Sequence, residues 1–290
     1  MRYSVVIPAY NEHAFLADTL NSLLGQSCPP HQLIVVDDQS TDGTFELAQS
    51  LALEHPSVQV YQTQSVGGGH QPGAKVIQAF LLGYAAVDSS ADFIVKADAD
   101  LIFPPHYFET LQKYFSEDPK LGMAGGCAYI EKEGQWVLEK LTDPDHIRGA
   151  FKTYRKACYE QIGGLQPQMG WDTVDEMLAR YFGWELKVDM ALHVKHLKPT
   201  GASYTQAARY KQGAAFYALG YGFLLTSMAS LKLASRKGKP LLAKDYVIGF
   251  FKAKWGGVPM LVNADQARFI RGYRYKNLWR KVFATKSKQQ

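Results

Sequence analysis

The sequence predicts an α/β protein with a mostly parallel, doubly wound sheet flanked by helices, followed by a basic helical C-terminal region. Apolar runs of strand length alternate with segments of helical periodicity, and short connections between them are typical of such a sheet. Residues 1–204 contain 15 Lys or Arg and 25 Asp or Glu, whereas residues 205–290 contain 17 and 2. The resulting net charges of −10 and +15 predict two parts, a domain at 1–204 and a helical region at 205–290.

The first half of the predicted sheet follows from hydrophobic periodicity. Residues 4–7 form an apolar run of strand length, and residues 14–24 carry apolar side chains at three- and four-residue spacings, which predicts a helix. Residues 33–36 predict the second strand. Ser40 or Thr41 is a suitable N-cap for a second helix that continues to about residue 53.

The next elements continue the alternation. Residues 58–61 predict a third strand, and residues 74–87 predict a helix after a Gly-rich loop. Residues 93–97 predict the strand that leads to an Asp-x-Asp sequence. Pro104 and Pro105 open a further helix that ends near residue 115, because proline is favoured in the first turn.

Polar residues stand just past the apolar run in three motifs, VVIPAYNE (5–12), VVDDQSTDGT (35–44) and VKADADL (95–101). In open α/β folds ligands bind at the carboxyl ends of the strands, so we expect the aspartates of the last two motifs to meet in one crevice. These are Asp37, Asp38, Asp98 and Asp100. Because four carboxylates repel one another, the crevice favours a hard divalent cation such as Mg²⁺ or Mn²⁺.

The three motifs, in this order and with helix-length spacers, resemble those of family 2 glycosyltransferases, and the resemblance covers roughly residues 3–200. It implies a GT-A fold and an inverting, metal-dependent enzyme that takes a sugar from a nucleotide diphosphate. The nucleoside-binding residues that it implies are Pro8, Ala9, Tyr10, Glu12 and Asp38, and the diphosphate is held through a metal by Asp98 and Asp100. Gln39 departs from the family, which usually has Gly there, and we expect it to alter the contacts to the base.

Each of these residues also has an ordinary structural interpretation. Asp38 can accept a hydrogen bond from a base N–H, as uracil N3–H offers, or it can cap the turn. Tyr10 can stack on the base and Glu12 can reach the ribose, but both also suit a strand-to-helix turn. Asp98 and Asp100 can simply end a strand, although the upstream motifs favour metal binding.

The Gly-rich loop at residues 67–75 is not a phosphate loop, which needs Gly-Lys-Ser/Thr, because Ala74 intervenes and Val76 follows. The resemblance matches Gly73, Ala74 and Lys75 to a family loop of the type Gly-x-Ala-Arg-Asn, with Lys in place of Arg. Lys75 is therefore either a phosphate contact or a solvated lysine.

The segment at residues 170–184 is the best place for a catalytic base, which must take the proton of an acceptor hydroxyl. The family supplies this carboxylate from a Glu-Asp pair at the start of a helix, and this chain has the inverted pair Asp175-Glu176. We predict Asp175 as the base, with Asp172 and Glu176 as alternatives. Asp172 could instead be a helix N-cap, and Trp171 could stack on the acceptor sugar or be buried.

His193 and His196 are three residues apart on a predicted strand, so they point to opposite faces and are not expected to ligate one metal together. Related transferases use a His after this strand as a further metal or diphosphate contact, and His196 matches that place. A surface histidine is the alternative.

The C-terminal region combines positive charge with apolar and aromatic residues. Residues 213–231 are 19 residues without a charge, and a second piece, residues 246–262, is interrupted by Lys, Gly and Pro. Basic segments normally face nucleic acid or anionic lipid. We interpret both pieces as helices that lie on a bilayer surface, with a solvated helical subdomain and a membrane span as the alternatives.

The resemblance thus implies a glycosyltransferase of cell-surface polysaccharide biosynthesis that moves a sugar, most simply from a UDP-sugar, to a hydroxyl of a glycan or lipid-linked glycan. The alternatives are a polyprenyl-phosphate sugar synthase and a noncatalytic, membrane-tethered nucleotide-sugar binding protein. Three cysteines without a CxxC motif, and the lack of a predicted signal peptide, indicate a cytoplasmic protein, peripheral on the inner face of the membrane. No nucleic acid partner is expected.

Overall fold

The computed structural model describes residues 1–64, 74–139, 145–198 and 210–286, except for the side chains of residues 279 and 281–286. The chain forms two compact units, Met1–Thr200 and Gly201–Gln290. The described part of the first unit contains the sheet, and the described part of the second contains only helices and their connections.

The parallel part of the sheet consists of β1 (Tyr3–Ala9), β2 (Gln32–Asp37), β3 (Val58–Gln62) and β4 (Phe93–Ala97), in the spatial order β3-β2-β1-β4. The helices between successive strands are α1 (Leu16–Leu24), α2 (Thr44–Glu54) and α3 (Ala74–Tyr84). All three pairs of neighbouring strands are parallel. The predicted alternation is confirmed here, because β1, β2 and β4 are almost fully buried, as strands covered on both faces must be.

The remaining elements of the first unit are β5 (Leu101–Ile102), α4 (Tyr107–Glu117), β6 (Leu121–Lys132), β7 (Gln135–Leu138), β8 (Phe151–Arg155), α5 (Lys156–Gln161), α6 (Trp171–Tyr181) and β9 (Glu185–His196). β8 lies between β4 and β6 and is antiparallel to both, whereas β9 is parallel to β6. The sheet is therefore mixed, and the mostly parallel sheet predicted from sequence is wrong for this half. Hydrophobic periodicity reports which residues are buried but not the direction of the neighbouring strand.

Helices cover both faces of the parallel strands. Val5 and Ile7 point to the core that contains the apolar residues of α1. Val6 points to the opposite face, where a Cβ added to Gly83 of α3 would lie 2.6 Å from its side chain. With both faces covered, the carboxyl ends of β1, β2 and β4 are left as the edge at which a ligand can bind.

Side chains of the turn after β2 bind the loop after β1 and support the first turn of α2, and α2 begins later than the sequence predicts. α2 begins at Thr44 after an N-cap at Gly43, so the predicted cap at Ser40 or Thr41 is wrong. The Ser40 hydroxyl instead accepts a hydrogen bond from the N–H of Asn11 at 2.9 Å. The Thr44 N–H donates to the Asp42 carboxylate at 3.1 Å, so the acidic residue, not the hydroxyl, supports the helix start.

The second unit contains α7 (Lys211–Ala218), α8 (Gly222–Arg236), α9 (Leu242–Trp255) and α10 (Ala264–Lys286). The uncharged run at 213–231 is divided between α7 and α8, because the chain turns at Gly220, where φ is 70°. Across the described residues, none of the helices has the length and apolar character needed to cross a bilayer. Gly213 allows α7 and α9 to pack closely, since a Cβ there would lie 1.8 Å from the carbonyl oxygen of Tyr246.

Candidate active site

The turns that follow β1 and β2 are joined to each other. The N–H of Asp38 donates to the carbonyl oxygen of Ala9 at 2.8 Å. The N–H of Thr41 donates to Oδ1 of Asn11 at 2.9 Å. The first two motifs of the sequence thus form one continuous rim at the carboxyl edge of the sheet.

Asp37 and Asp38 have different surroundings. Asp37 is fully buried, and its Oδ2 accepts from the N–H of Ser40 at 3.1 Å and from Nε2 of Gln62 at 3.0 Å. Asp38 is half-buried, and its Oδ1 accepts from the hydroxyl of Thr63 at 2.7 Å. The structural role in the turn therefore belongs to Asp37, and Asp38 is the carboxylate that a ligand can reach.

Gln39 adopts a left-handed backbone conformation, with φ of 62°. Residues with a side chain are strained in this region, which is the physical reason for the glycine usual in the family. The Nε2 of Gln39 donates to the carbonyl oxygen of Thr63 at 3.1 Å. Gln39 and Asp38 are thus both anchored to the residue that follows β3.

Asp98 and Asp100 follow β4 and form a cluster with His196 of β9. One carboxylate oxygen from each aspartate and one imidazole nitrogen all lie within 4.8 Å of one another. The pairing of β5 with β9 brings them together, because Leu101 is in register with His196. Nε2 of His196 is 3.3 Å from Oδ2 of Asp100, and both side chains are buried. Two carboxylates and an imidazole are a donor set that suits a divalent cation such as Mn²⁺.

Lys96 precedes this cluster in β4, and its side chain is buried. Its ammonium group is hydrogen-bonded to the Asp98 carboxylate. The same Nζ lies 5.4 Å from the ring centre of Trp171. Because a buried ammonium needs a charged or polar partner, Lys96 fixes the orientation of Asp98 and connects the cluster with α6.

Glu12 lies beside the cluster. Its N–H donates to the Thr44 hydroxyl at 2.8 Å, and its Oε2 accepts from Nζ of Lys198 at 2.6 Å. Burial raises the pKa of Glu12, the hydrogen bond from Lys198 acts against this rise, and the two aspartates of the cluster add to it. The carboxylate of Glu12 therefore belongs to the electrostatic environment of the cluster.

The other predicted nucleotide-binding residues have simpler surroundings. Pro8 and Ala9 are buried within β1, so their contribution to a ligand site is the backbone. Tyr10 is 57% exposed. Lys75 is exposed in the first turn of α3, and the rest of the predicted Gly-rich loop, residues 67–73, lies outside the described residues.

The three carboxylates of α6 differ in exposure. Asp175 is buried, with Oδ2 2.9 Å from Nζ of Lys152 and 2.6 Å from the hydroxyl of Tyr154, which donates to it. Glu176 is also buried, 3.2 Å from the same ammonium group. The Asp172 side chain is 39% exposed. Of these three side chains, only that of Asp172 is partly exposed to solvent.

His146 lies between two of these carboxylates. Its Nδ1 is 3.0 Å from Oε1 of Glu176, and its Nε2 is 3.8 Å from Oδ2 of Asp172. Burial lowers the pKa of His146, but hydrogen bonding to Asp172 and Glu176 outweighs burial and raises the pKa to about 9. Burial would raise the pKa of Asp172, but His146 and Lys152 hold it below its usual value. Asp172 is therefore ionised at neutral pH.

Trp171 begins α6 and lies between two lysines. Its ring centre is 5.4 Å from Nζ of Lys96 and 5.7 Å from Nζ of Lys152, and the side chain is buried. The burial of this ring agrees with the second of the two interpretations that the sequence left open for Trp171. Gly170 is the N-cap of α6, so the alternative of Asp172 as an N-cap is wrong. The ring makes cation–π contacts with Lys96, which pairs with Asp98 of the cluster, and with Lys152, which pairs with Asp175 of α6.

Sequence reasoning missed four side chains of this site, Lys96, His146, Lys152 and Lys198. A lysine inside an apolar strand run was a usable signal for Lys96, because a buried ammonium requires a carboxylate partner. His146 and Lys198 carry no comparable local signal. Lys198, for example, pairs with a residue 186 positions away.

An open α/β sheet with an acidic cluster at the carboxyl ends of its strands is the architecture of the GT-A fold. The model of glycosyl transferase family 2 matches residues 4–164, more than half of the chain. The protein therefore belongs to glycosyl transferase family 2.

Several curated relatives are glycosyltransferases. An uncharacterised glycosyltransferase of Nostoc sp. is 27% identical over 172 residues, covering 57% of this chain and 50% of that protein. A poly-beta-1,6-N-acetyl-D-glucosamine synthase of Staphylococcus epidermidis is 23% identical over 238 residues, covering 72% and 54%. An undecaprenyl-phosphate mannosyltransferase of Micrococcus luteus is 37% identical over 100 residues, covering 34% and 38%. The chain thus spans about half or less of the length of these relatives.

Solved structures share the fold at low identity. The mannosyltransferase PcManGT of Pyrobaculum calidifontis, in complex with GDP-Man and Mn²⁺, is 17% identical with a TM-score of 0.60, covering 96% of this chain and 80% of that one. TarS of S. aureus, in complex with UDP-GlcNAc, is 15% identical with a TM-score of 0.58, covering 88% and 73%. These similarities support the GT-A fold.

Proposed function

We propose that this protein is an inverting glycosyltransferase that moves a sugar from a nucleotide diphosphate, most simply UDP, to a hydroxyl of a glycan or lipid-linked glycan. The observation that carries the proposal is the cluster of Asp98, Asp100 and His196 at the sheet edge formed by the turns after β1 and β2. The solved neighbours with bound GDP-Man and UDP-GlcNAc support a nucleotide-sugar donor. The Staphylococcus epidermidis relative supports a role in cell-surface polysaccharide synthesis.

The donor site has a metal-binding part and a nucleoside-binding part. Asp98, Asp100 and His196 fit a divalent cation, because their ligand atoms already lie together and include two carboxylates. When bound, such a cation neutralises charge on the departing diphosphate. Asp38 is the acceptor for a base N–H, and exposed Tyr10 is available to stack on the base.

The proposed phosphate and ribose contacts lie at the ends of this site. Lys75 stands exposed at the start of α3, where its ammonium group can meet a phosphate oxygen. Glu12 lies between the nucleoside-binding turn and the cation cluster, held by Lys198. A ribose hydroxyl is the donor group that its carboxylate would accept from.

We propose Asp172 as the catalytic base in place of Asp175, the first choice from sequence. Asp175 is 1% exposed and bound to Lys152 and Tyr154, so an acceptor cannot reach it. Asp172 is accessible and ionised, and His146 holds it. As the acceptor oxygen bonds to the anomeric carbon and the bond to the diphosphate breaks, the Asp172 carboxylate takes the hydroxyl proton. Attack from the face opposite the leaving group inverts the anomeric configuration.

The donor proposal is tested by thermal shifts with UDP-, GDP-, dTDP- and CMP-sugars, with and without Mn²⁺. A ligand that binds only the folded state raises its stability, and we expect the largest rise with a uridine nucleotide and metal. Asp38→Asn should reduce the preference for uridine, whereas Asp18→Asn, on the exposed surface of α1, should not. Equal shifts with all four bases would contradict the role of Asp38.

The base proposal is tested with Asp172→Asn and Asp175→Asn. Asp172→Asn should lower turnover by about 10²-fold or more while donor binding and thermal stability are kept. Asp175→Asn should lower stability, and its folded fraction should retain turnover. The opposite pattern, with turnover abolished only in Asp175→Asn, would restore Asp175 as the base.

A polyprenyl-phosphate sugar synthase is the second candidate, favoured by the similarity to the undecaprenyl-phosphate mannosyltransferase. A phosphate acceptor is already ionised and brings no proton to the base, so Asp172→Asn should leave transfer to undecaprenyl phosphate nearly unchanged. Transfer to a hydroxyl acceptor should collapse in the same variant. Nucleotide-sugar binding without turnover on either acceptor would favour the noncatalytic alternative.

We also propose that residues 205–290 hold the enzyme at the cytoplasmic face of the membrane, close to a lipid-linked acceptor. The excess of 17 basic over 2 acidic residues in this region supports attraction to anionic lipid. Such attraction is screened by salt, so sedimentation of the full chain with anionic liposomes should decrease as ionic strength rises. Salt-independent sedimentation would contradict an electrostatic contribution.

A further inference from the structure

A stripe of apolar side chains lies exposed on α8. Leu224, Met228 and Leu231 follow one another at four- and three-residue spacings, which places them on one helix face. Leu231 is 65% exposed, and the neighbouring Phe223 is 57% exposed. Scattered apolar residues are ordinary on a protein surface, but a contiguous group of large ones marks an interaction site.

The stripe continues onto α9 through aromatic contacts. The ring of Phe223 lies 5.6 Å from that of Phe251, which in turn stacks on Trp255 at 5.0 Å. Trp255 is 78% exposed at the end of α9. We call this surface the α8–α9 patch; its members are Phe223, Leu224, Met228, Leu231, Phe251 and Trp255.

The exposed charges on α8 and α9 all have one sign. In α8 and α9, which are both described in full, the one acidic residue is Asp245, and it is buried. Exposed basic side chains on the same two helices include Arg236, Lys244, Lys252 and Lys254. An anionic surface is therefore attracted to these helices, and no exposed carboxylate of theirs opposes it.

The chemistry of the patch fits a bilayer with anionic headgroups. Leucine, methionine and phenylalanine side chains gain free energy by entering the acyl boundary, while lysine and arginine extend to the headgroups. Tryptophan is enriched at the level between the two, and Trp255 lies next to Lys254 in sequence. A bilayer also explains the combination of features, because a purely electrostatic contact would need no exposed stripe.

We propose that the α8–α9 patch is the surface that inserts into the headgroup layer of an anionic membrane, with its two helices lying parallel to the bilayer plane. The inference rests on the membrane association proposed above and names the residues that make it. It predicts that attachment needs both the apolar patch and the basic side chains, and that neither set suffices alone.

The test is cosedimentation of the full chain with vesicles of phosphatidylcholine, with and without phosphatidylglycerol. Leu231→Ser/Trp255→Ser should weaken binding to the anionic vesicles by about tenfold or more, because the full burial of even one large apolar side chain contributes about that factor. Leu53→Ser is the matched control, since Leu53 is an 89% exposed leucine on α2 of the other unit and should bind like wild type. Lys244→Gln/Lys252→Gln/Lys254→Gln should also weaken binding, but only to the anionic vesicles.

Three results would overturn the proposal. The first is equal vesicle binding by wild type and Leu231→Ser/Trp255→Ser, and the second is wild-type binding that is the same without phosphatidylglycerol. The third is a wild-type oligomer in sedimentation velocity that the patch variant converts to monomer while vesicle binding is unchanged, which would make the patch a contact between copies. UDP binding measured without vesicles should be the same in all variants. A wild type that does not bind UDP would contradict the transferase proposal but not the membrane proposal.

Discussion

The free energy of unfolding should decrease as the pH rises, because His146, which lies between Asp172 and Glu176, then loses its proton. The pKa of this imidazole rises from 6.5 to about 9 in the folded protein. A rise of this size corresponds to about 3 kcal/mol of stabilisation, at 1.36 kcal/mol for each pKa unit. The side chain is only 20% exposed, so solvent screening removes a small part of this value.

The sign follows from which state holds the proton more tightly. Because the folded-state pKa is the higher one, the contribution is complete below pH 6.5 and is lost as the pH rises through about 9. Urea unfolding of wild type and His146→Gln, from about pH 6 to about pH 10, measures it directly. The difference in unfolding free energy between the two proteins should shrink by about 3 kcal/mol across this range.

His106→Gln is the control, since His106 is an exposed histidine that pairs with Glu109 on the surface of α4. Because an exposed ion pair contributes at most about 1 kcal/mol, His106→Gln should differ from the wild type by less than that. A difference between wild type and His146→Gln that stays constant from the lowest to the highest pH would refute the reasoning, because it would mean that His146 gains no proton on folding.

Three further predictions follow from buried contacts. Lys152→Met should reduce the free energy of unfolding, measured with urea, by about 3–5 kcal/mol, because Asp175 and Glu176 then stay buried without the ammonium group that pairs with them. Lys113→Met, at an exposed lysine, is the control, and an equal reduction in the two variants would contradict this prediction. Gly213→Ala should push α7 away from α9, which should reduce the free energy of unfolding by about 1–3 kcal/mol and lower the melting temperature. Gly272→Ala is the control, because a Cβ at Gly272 in α10 would meet no other atom within 4 Å, and this variant should melt like the wild type. Equal effects of the two substitutions would refute the close packing of α7 and α9. Thr63→Val removes the hydrogen bond that orients the Asp38 carboxylate, so it should weaken UDP binding about fivefold in calorimetry. Unchanged affinity would contradict a role of Asp38 in UDP binding.

Local patterns were sufficient to predict the parallel half of the fold and the position of Asp98 and Asp100. The apolar runs at β1, β2 and β4 are continuous because both faces are buried, and this is visible in sequence. Asp98 and Asp100 follow one of these runs, so their place at the sheet edge was predictable from strand direction alone. His196 was assigned by resemblance, and the register of β5 with β9 supplies the physical reason for its position.

Long-range contacts decided what could not be predicted. The antiparallel strand β8 places Lys152 against α6, where its ammonium group forms buried ion pairs with both Asp175 and Glu176. Asp172 and Asp175 are three residues apart with the same side chain, yet only one is accessible. No local sequence signal separates them, because the difference comes from a strand about 20 residues earlier.

Binding of the nucleotide diphosphate should depend on a cation held by Asp98, Asp100 and His196. Calorimetric titration of UDP into the wild type and into Asp100→Asn, with and without Mn²⁺, measures this dependence, with Asp18→Asn as the control. The wild type and Asp18→Asn should bind UDP much more tightly with Mn²⁺, and Asp100→Asn should lose at least about tenfold in affinity while keeping its thermal stability. Equal UDP affinity in wild type and Asp100→Asn, with no effect of Mn²⁺ in either, would contradict the proposal that this cluster is the donor site.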